Sequence, residues 1–376
     1  MTKMKCLPLR LLFSSLIVLF ANSASAQRNE YAQTILVANR AEFHPTAFVD
    51  KHLVNPWGIA LRPPGKGGHI WVSNARNAST STYVGDVNGI PLHQDGLKIV
   101  YMDGPLVSYH DGLLKVTGQV YNAASDVPGQ PVEFPISGPA KNLSGAEPVA
   151  LGKSSGPAKF VFVTTDGTVN AWRSSTAESM DTAIIVKDYS ERGEHRMRDQ
   201  RFLPAYTGVA MTTDAFTKND AGEPVADNRL YVTDFQNNRI QVFDNQWREI
   251  TAKVKFERPK GMPEDFSPYN VQVVGGKIYV VYAVVDLGAE EPAFDTPGEG
   301  HGHVAVYDRD GTSGRNSATK AASTPRGESR SPRRHSARWA ASSSSQILAT
   351  APSPHSSPRP AHSWICSATT RASPSA

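Results

Sequence analysis

The most distinctive chemistry-bearing segment runs from Asp286 to His303, where Asp286, Glu290, Glu291, Asp295, Glu299, His301 and His303 sit among glycine and proline. Carboxylate oxygens of this density suit a hard cation such as Ca²⁺, and two imidazoles add nitrogen donors. In an extended His301-Gly302-His303, residues two apart share a face, so both rings would project the same way. An acidic, solvated loop accounts for the same composition and is the stronger reading. Zinc has little support, because the chain holds no H-E-x-x-H and no cysteine set. A second group of candidates is spread along the chain: Asn55, Trp57, Asn74, Asp166, Asp234, Asn237 and Asn270, with Arg76, Asn77 and Tyr269 beside them. Gathered on one face around a channel, these oxygens would hold Ca²⁺ or a small ligand. Asparagine and aspartate also dominate tight turns, because they tolerate left-handed backbone and bond to it, and at any one position that reading is the stronger. Trp57 and Trp172 offer faces for stacking on a sugar, although aromatic residues at regular positions are more often core.

The elements that must position these residues repeat. Four segments share a turn-like opening into a short apolar strand: Pro56-Trp57-Gly58-Ile59-Ala60, Val116-Thr117-Gly118-Gln119-Val120, Tyr206-Thr207-Gly208-Val209-Ala210 and Pro268-Tyr269-Asn270-Val271-Gln272. Their third positions are 60, 90 and 62 residues apart. A second strand rich in β-branched and aromatic residues follows each, at His69–Ser73, Phe160–Thr164, Leu230–Asp234 and Ile278–Tyr282. Third strands fit Ser81–Val84, Thr168–Trp172, Arg239–Phe243 and His303–Tyr307, and fourth strands fit Lys98–Tyr101, Ala183–Val186 and Ile250–Val254. Asp166-Gly167 and Gly275-Gly276 are hairpin signals, and no window sustains helical periodicity. Repeated four-stranded units predict an all-β fold of the β-propeller kind. A β-sandwich is the alternative, but it has no reason to repeat one opening motif at a roughly regular period.

Asn55-Pro56-Trp57-Gly58-Ile59-Ala60, Trp71-Val72-Ser73-Asn74, Thr165–Trp172, Tyr231–Phe235 and Tyr269–Gln272 with Lys277–Val280 together resemble an uncharacterised family of exported bacterial β-propeller proteins. They are similar in style to NHL-repeat propellers and, more remotely, to gluconolactonase-like six-bladed ones. The resemblance covers Thr34 to Asp310. It implies six blades and export but no particular activity; the repeated units supply about four of those blades in frame.

Charge separates the two ends from the body. The first 26 residues hold three bases and no acid, and residues 311–376 hold nine bases and one acid. Of the 39 bases and 35 acids in the chain, residues 27–310 keep 27 and 34, a net charge of −7. The calculated pI near 8.9 therefore reports the ends, and a nucleic-acid partner is not expected. Lys3, Lys5 and Arg10 precede the apolar run Leu11–Ala21, and Ala24-Ser25-Ala26 fits a cleavage site. Residues 1–26 read as a secretory signal peptide cut after Ala26, for a secreted or periplasmic protein with no transmembrane segment left after cleavage. Cys366 is then the one cysteine remaining, so no intrachain disulfide supports the fold.

Residues 27–310 are assigned to the propeller and 311–376 to a basic tail, where 17 of 66 residues are serine. Such a composition reads as disorder. It also fits a shifted reading frame. Read one base upstream, every UCN serine codon encodes an apolar residue. The codons of Ser323–Pro332 are then compatible with LNAPWGIAIA, and those of Trp339–Ser353 with MGGKLLVANFGDGTI. Both match motifs of the preceding units, in the correct order. The function expected is a binding or interaction scaffold for a small molecule, glycan or protein. The alternative is a Ca²⁺-dependent lactonase or esterase-like hydrolase, with asparagine and aspartate oxygens holding the ion.

Overall fold

A computed structural model of the chain describes residues 32–62, 68–102, 116–126, 132–144, 148–174, 180–190, 203–285, 295–296, 298–313, 319–320 and 364–369. Residues 1–31 and most of residues 311–376 lie outside these residues. Residues 34–367 form one compact unit; of the other, residues 1–33 and 368–376, only four residues are described. Among the described residues no helix is long and apolar enough to cross a membrane.

The protein is all-β. After β1 (Ala32–Ala38) and β2 (Phe48–Val49), which pair in parallel, four units follow. The first is β3 (Pro56–Leu61), β4 (Ile70–Asn74), β5 (Ser79–Tyr83) and β6 (Ile99–Met102). The second begins with β7 (Val116–Tyr121), inserts the hairpin of β8 (Pro135–Asn142) and β9 (Val149–Pro157), and resumes with β10 (Phe160–Thr164), β11 (Thr168–Trp172) and β12 (Thr182–Asp188). In the third, β13 (Tyr206–Met211) precedes a smaller hairpin, β14 (Phe216–Lys218) with β15 (Pro224–Ala226), and then β16 (Arg229–Asp234) and β17 (Arg239–Asp244). The fourth is β18 (Phe266–Val274), β19 (Lys277–Val284), β20 (Gly302–Tyr307) and β21 (Thr319–Lys320). A last described strand, β22, spans Trp364–Thr369. Each unit is an antiparallel meander, and β6 pairs in parallel with β12, so the first two units share one eight-stranded sheet.

The opening motifs explain how the units pack. In every unit the first strand shifts register at the motif, as a β-bulge does. The glycine at the third position allows close approach of the next unit's first strand. A Cβ on Gly118 would stand 2.6 Å from the Val209 nitrogen and 3.0 Å from the Gly208 Cα; Gly58 faces Thr117–Gln119 in the same way, and Gly208 faces Asn270. The threonine before the glycine fastens neighbours: Thr117 Oγ1 donates to the Tyr206 carbonyl at 2.7 Å, and Thr207 Oγ1 donates to the Tyr269 carbonyl at 2.5 Å. Between these contacts lie the cores. Trp71, Phe160 and Trp172 pack between the first two units, with Trp71 stacked on Phe160 at 3.9 Å between centroids. Tyr231, Val242, Val271, Val280 and Tyr307 pack between the third and fourth.

The fourth strand expected at Ile250–Val254 is absent; the third unit has three strands. Asp244 Oδ1 accepts from the backbone N–H of Gln246 and of Arg248, which turns the chain. Thr251 Oγ1 then accepts the Val242 N–H that a fourth strand would have bonded, at 3.0 Å. The fourth unit runs past Asp310, because β21 adds to β20 at Thr319–Lys320.

Candidate functional site

The first strands of all four units line one cavity of about 270 Å³. Its wall is built from residues of β3, β7, β13 and β18, namely Trp57–Leu61, Gly118–Tyr121, Thr207 with Val209–Met211, and Asn270–Val273, joined by Thr213 just after β13. None of the lining residues carries a carboxylate, imidazole, amine, guanidinium or thiol. Amides, hydroxyls and apolar side chains remain. Gln119 is spent on structure: its amide nitrogen donates to the carbonyls of Gly58 (2.8 Å) and Trp71 (2.7 Å), and its oxygen accepts from Thr80. Tyr121 is 8% exposed and packs against Phe160 in the core, where its buried hydroxyl finds no hydrogen-bond partner among the described residues. A buried hydroxyl without a partner carries a desolvation cost.

Of the residues singled out from sequence, Trp57 and Asn270 line this cavity. The Trp57 indole donates to the Thr207 carbonyl at 3.1 Å and packs 5.9 Å from the Tyr269 ring, so it ties the first unit to the third and fourth. Asn270 lies against Gly208. Asn55 adopts left-handed backbone (φ 54°) immediately before β3, where its carbonyl accepts from Ala75. Asn74 is fully buried at the end of β4, and its amide donates to Ser79 Oγ (3.1 Å) and Ser81 Oγ (3.0 Å). Asp50 continues that network, accepting from Ser81 and from Tyr83. Trp172 donates to the Met180 carbonyl within the core.

Asp166 sits in the β10–β11 turn and accepts from the Thr164 and Thr168 hydroxyls. Burial pushes its pKa up, against the pull of those bonds. A carboxylate whose folded-state pKa exceeds its unfolded one favours the protonated native state. Its contribution to stability is therefore full below the unfolded pKa and is lost as pH rises through the folded pKa. Asp166→Asn removes this loss, so the variant gains stability relative to wild type as pH rises from 3 to 7. Urea unfolding at both pH values checks it, and a constant difference would contradict it.

Asp234 is fully buried and accepts from Arg239 Nε at 3.0 Å and from Asn237 Nδ2 at 3.0 Å. Burial raises its pKa while Arg239 opposes the rise. The pair accounts for Asn237 as well, which is held by Asp234. Asp286, Glu290 and Glu291 lie outside the described residues. Asp295 pairs across from Val285, and burial raises its pKa. The two histidines have separate surroundings: the His301 ring lies 2.8 Å from the Thr296 carbonyl, whereas His303 lies 6.5 Å from the Phe266 ring, and burial lowers its pKa. Among the described residues no three His, Cys, Asp or Glu side chains converge as a cation site would require.

Sequence reading missed Tyr121 and the fastening threonines. The threonines had a visible signal, the shared Thr-Gly of two opening motifs. Tyr121 had none, because the burial of its hydroxyl depends on how separated strands meet.

No protein-family model matches the chain. Two relatives come from Acanthamoeba polyphaga mimivirus. Uncharacterized protein R648 is 23% identical over 279 residues, covering 74% of this chain and 54% of its own. Uncharacterized protein R640 is 28% identical over 166 residues, covering 44% and 26%. The chain thus spans about half or less of these relatives. Among solved structures, PQQ-bound aldose sugar dehydrogenase from Streptomyces coelicolor aligns with a TM-score of 0.26 and 10% identity over 77% of this chain and 96% of that one. A putative glucose dehydrogenase from Thermus thermophilus gives 0.25 and 12% over 76% and 96%. Likeness at this level carries no argument, and the fold rests on the strand order itself.

Proposed function

We propose that the chain is an exported β-propeller binding protein, with six blades in its complete form, whose channel takes a neutral ligand presenting hydroxyl or carbonyl groups beside an apolar face. A small saccharide is the chemistry that fits best. The observation carrying this reading is the cavity formed by the four first strands, lined by amide, hydroxyl and apolar groups with no charged side chain among them. Its volume of about 270 Å³ lies near the lower end of small-ligand sites. Hydrolysis would need a general base or a bound cation at the reacting centre. Asp166 and Asp234 are not among the residues lining this cavity, and both are engaged in bonds within the fold.

Thermal-shift and calorimetric titration with neutral mono- and disaccharides tests the reading. At least one sugar raises Tm, and replacing the half-buried lining amide by Gln272→Ala weakens its binding by roughly tenfold, the loss of one useful hydrogen bond, while leaving the fold intact. If no sugar shifts Tm, or if Gln272→Ala binds as wild type does, the cavity is not the binding site. A calcium-dependent rise in Tm together with lactone hydrolysis would instead favour the hydrolase.

A further inference from the structure

Each unit presents a face toward the one that follows it, built from equivalent positions. Residues directly opposite in an antiparallel pair share a face. In the third unit Ala210, Tyr231 and Val242 align in one row, with Gly208, Thr233 and Ile240 in the next. Tyr231 and Val242 are fully buried there against the fourth unit, and Ile240 is 5% exposed. The corresponding rows of the fourth unit are Gln272, Tyr279 and Val306, then Asn270, Val281 and Val304. The residue types persist, with tyrosine again at the centre and β-branched residues on the third strand. The burial does not. Tyr279 is 36% exposed, Val274 at the end of the same face is 46% exposed, and Val281, Val304 and Val306 join no apolar cluster among the described residues.

We propose that this face is a blade-to-blade interface, and that its occupant is a fifth unit whose first three strands are encoded by the codons of residues 323–353 read one base upstream. Read that way, the glycine of the opening motif falls at codon 328, 58 positions after Asn270. The established spacings without a large inserted hairpin are 60 and 62. The second shifted motif follows where a second and a third strand belong. As written, the same codons give Ser, Pro and Arg in abundance, a composition that cannot cover an apolar sheet face. The fifth unit would bury Tyr279, Val304 and Val306 as the fourth buries Tyr231, Ile240 and Val242. It would also protect the strand edges that an open ring exposes.

The test compares the full chain as written with the full frame-restored chain, each with and without Val304→Lys. The restored chain melts at least about 5 °C higher. Val304→Lys lowers its Tm by a similar amount and changes the written chain by under about 2 °C, because only the restored chain buries that position. Equal sensitivity of the two chains to Val304→Lys overturns the proposal. A restored chain that forms a discrete dimer, split by Val304→Lys, assigns the face to a second copy and overturns it too. Peptide mass spectrometry of the protein from its source organism decides the frame even if one chain fails to fold. Shifted-frame peptides across codons 323–353 are expected, and peptides in the written frame overturn the proposal.

Discussion

Gly118→Ala destabilises the protein by about 3 kcal/mol, near the upper end of what overpacking a tight interior usually costs. The added methyl would lie 2.6 Å from the Val209 nitrogen, with Gly208 backbone atoms at 2.9 and 3.0 Å. Every one of these atoms belongs to backbone of the adjoining first strand, so no side chain can swing aside to make room. The two strands must separate, and the Thr117 hydrogen bond to the Tyr206 carbonyl stretches with them. Gly96→Ala is the control. No atom lies within 4 Å of its Cβ position, and the change is neutral or slightly stabilising through the unfolded chain. Urea denaturation of both variants measures the difference. Equal stability of the two would mean that the close approach of β7 to β13 is not what sets the unit spacing.

The spacing of Gly58, Gly118 and Gly208 could be read from sequence because a backbone approach tolerates only one residue type, and that constraint recurs with the unit. The 90-residue interval looked irregular for a physical reason that no local pattern announced. The hairpin Pro135–Asn142 with Val149–Pro157 is inserted inside the second unit. Its strands contain Gly138, Gly152, Gly156 and prolines, which weakens any β signal. The strand expected at Ile250–Val254 failed for a different cause. Its apolar residues serve the core as non-strand packing, with Val254 4% exposed, while Thr251 takes over a ladder bond. Periodicity cannot distinguish those roles. The candidate site divides along the same line. Asn55 and Asp166 follow turn chemistry, which is local and legible; the burial of Asp234 against Arg239 and the orphan hydroxyl of Tyr121 are tertiary facts.

Arg239→Met costs about 3 kcal/mol at neutral pH, because it leaves the fully buried Asp234 without its cation. The remaining donors, Asn237 and the Ala205 N–H, satisfy the oxygens but do not neutralise the charge. The deficit is pH-dependent, with a sign fixed by the cause of the shift. Burial already raises the Asp234 pKa, and Arg239 is the largest opposing influence. Without it the folded-state pKa climbs further above the unfolded value. The variant therefore approaches wild-type stability as pH falls toward the ordinary carboxylate range, and loses ground as pH rises through the raised value. Adding Asp234→Asn removes the stranded charge while keeping an acceptor for the backbone N–H groups, and recovers most of the loss at pH 7. A deficit unchanged between pH 4 and pH 7, or a double variant no better than the single, would place the role of Arg239 in packing alone. Calcium separates the two functional readings at this same point. If Asp234 is a structural strut, millimolar calcium leaves the Arg239→Met variant as unstable as before. If the Asp234 and Asn237 oxygens form a latent cation site, calcium substitutes for the guanidinium and restores stability by mass action.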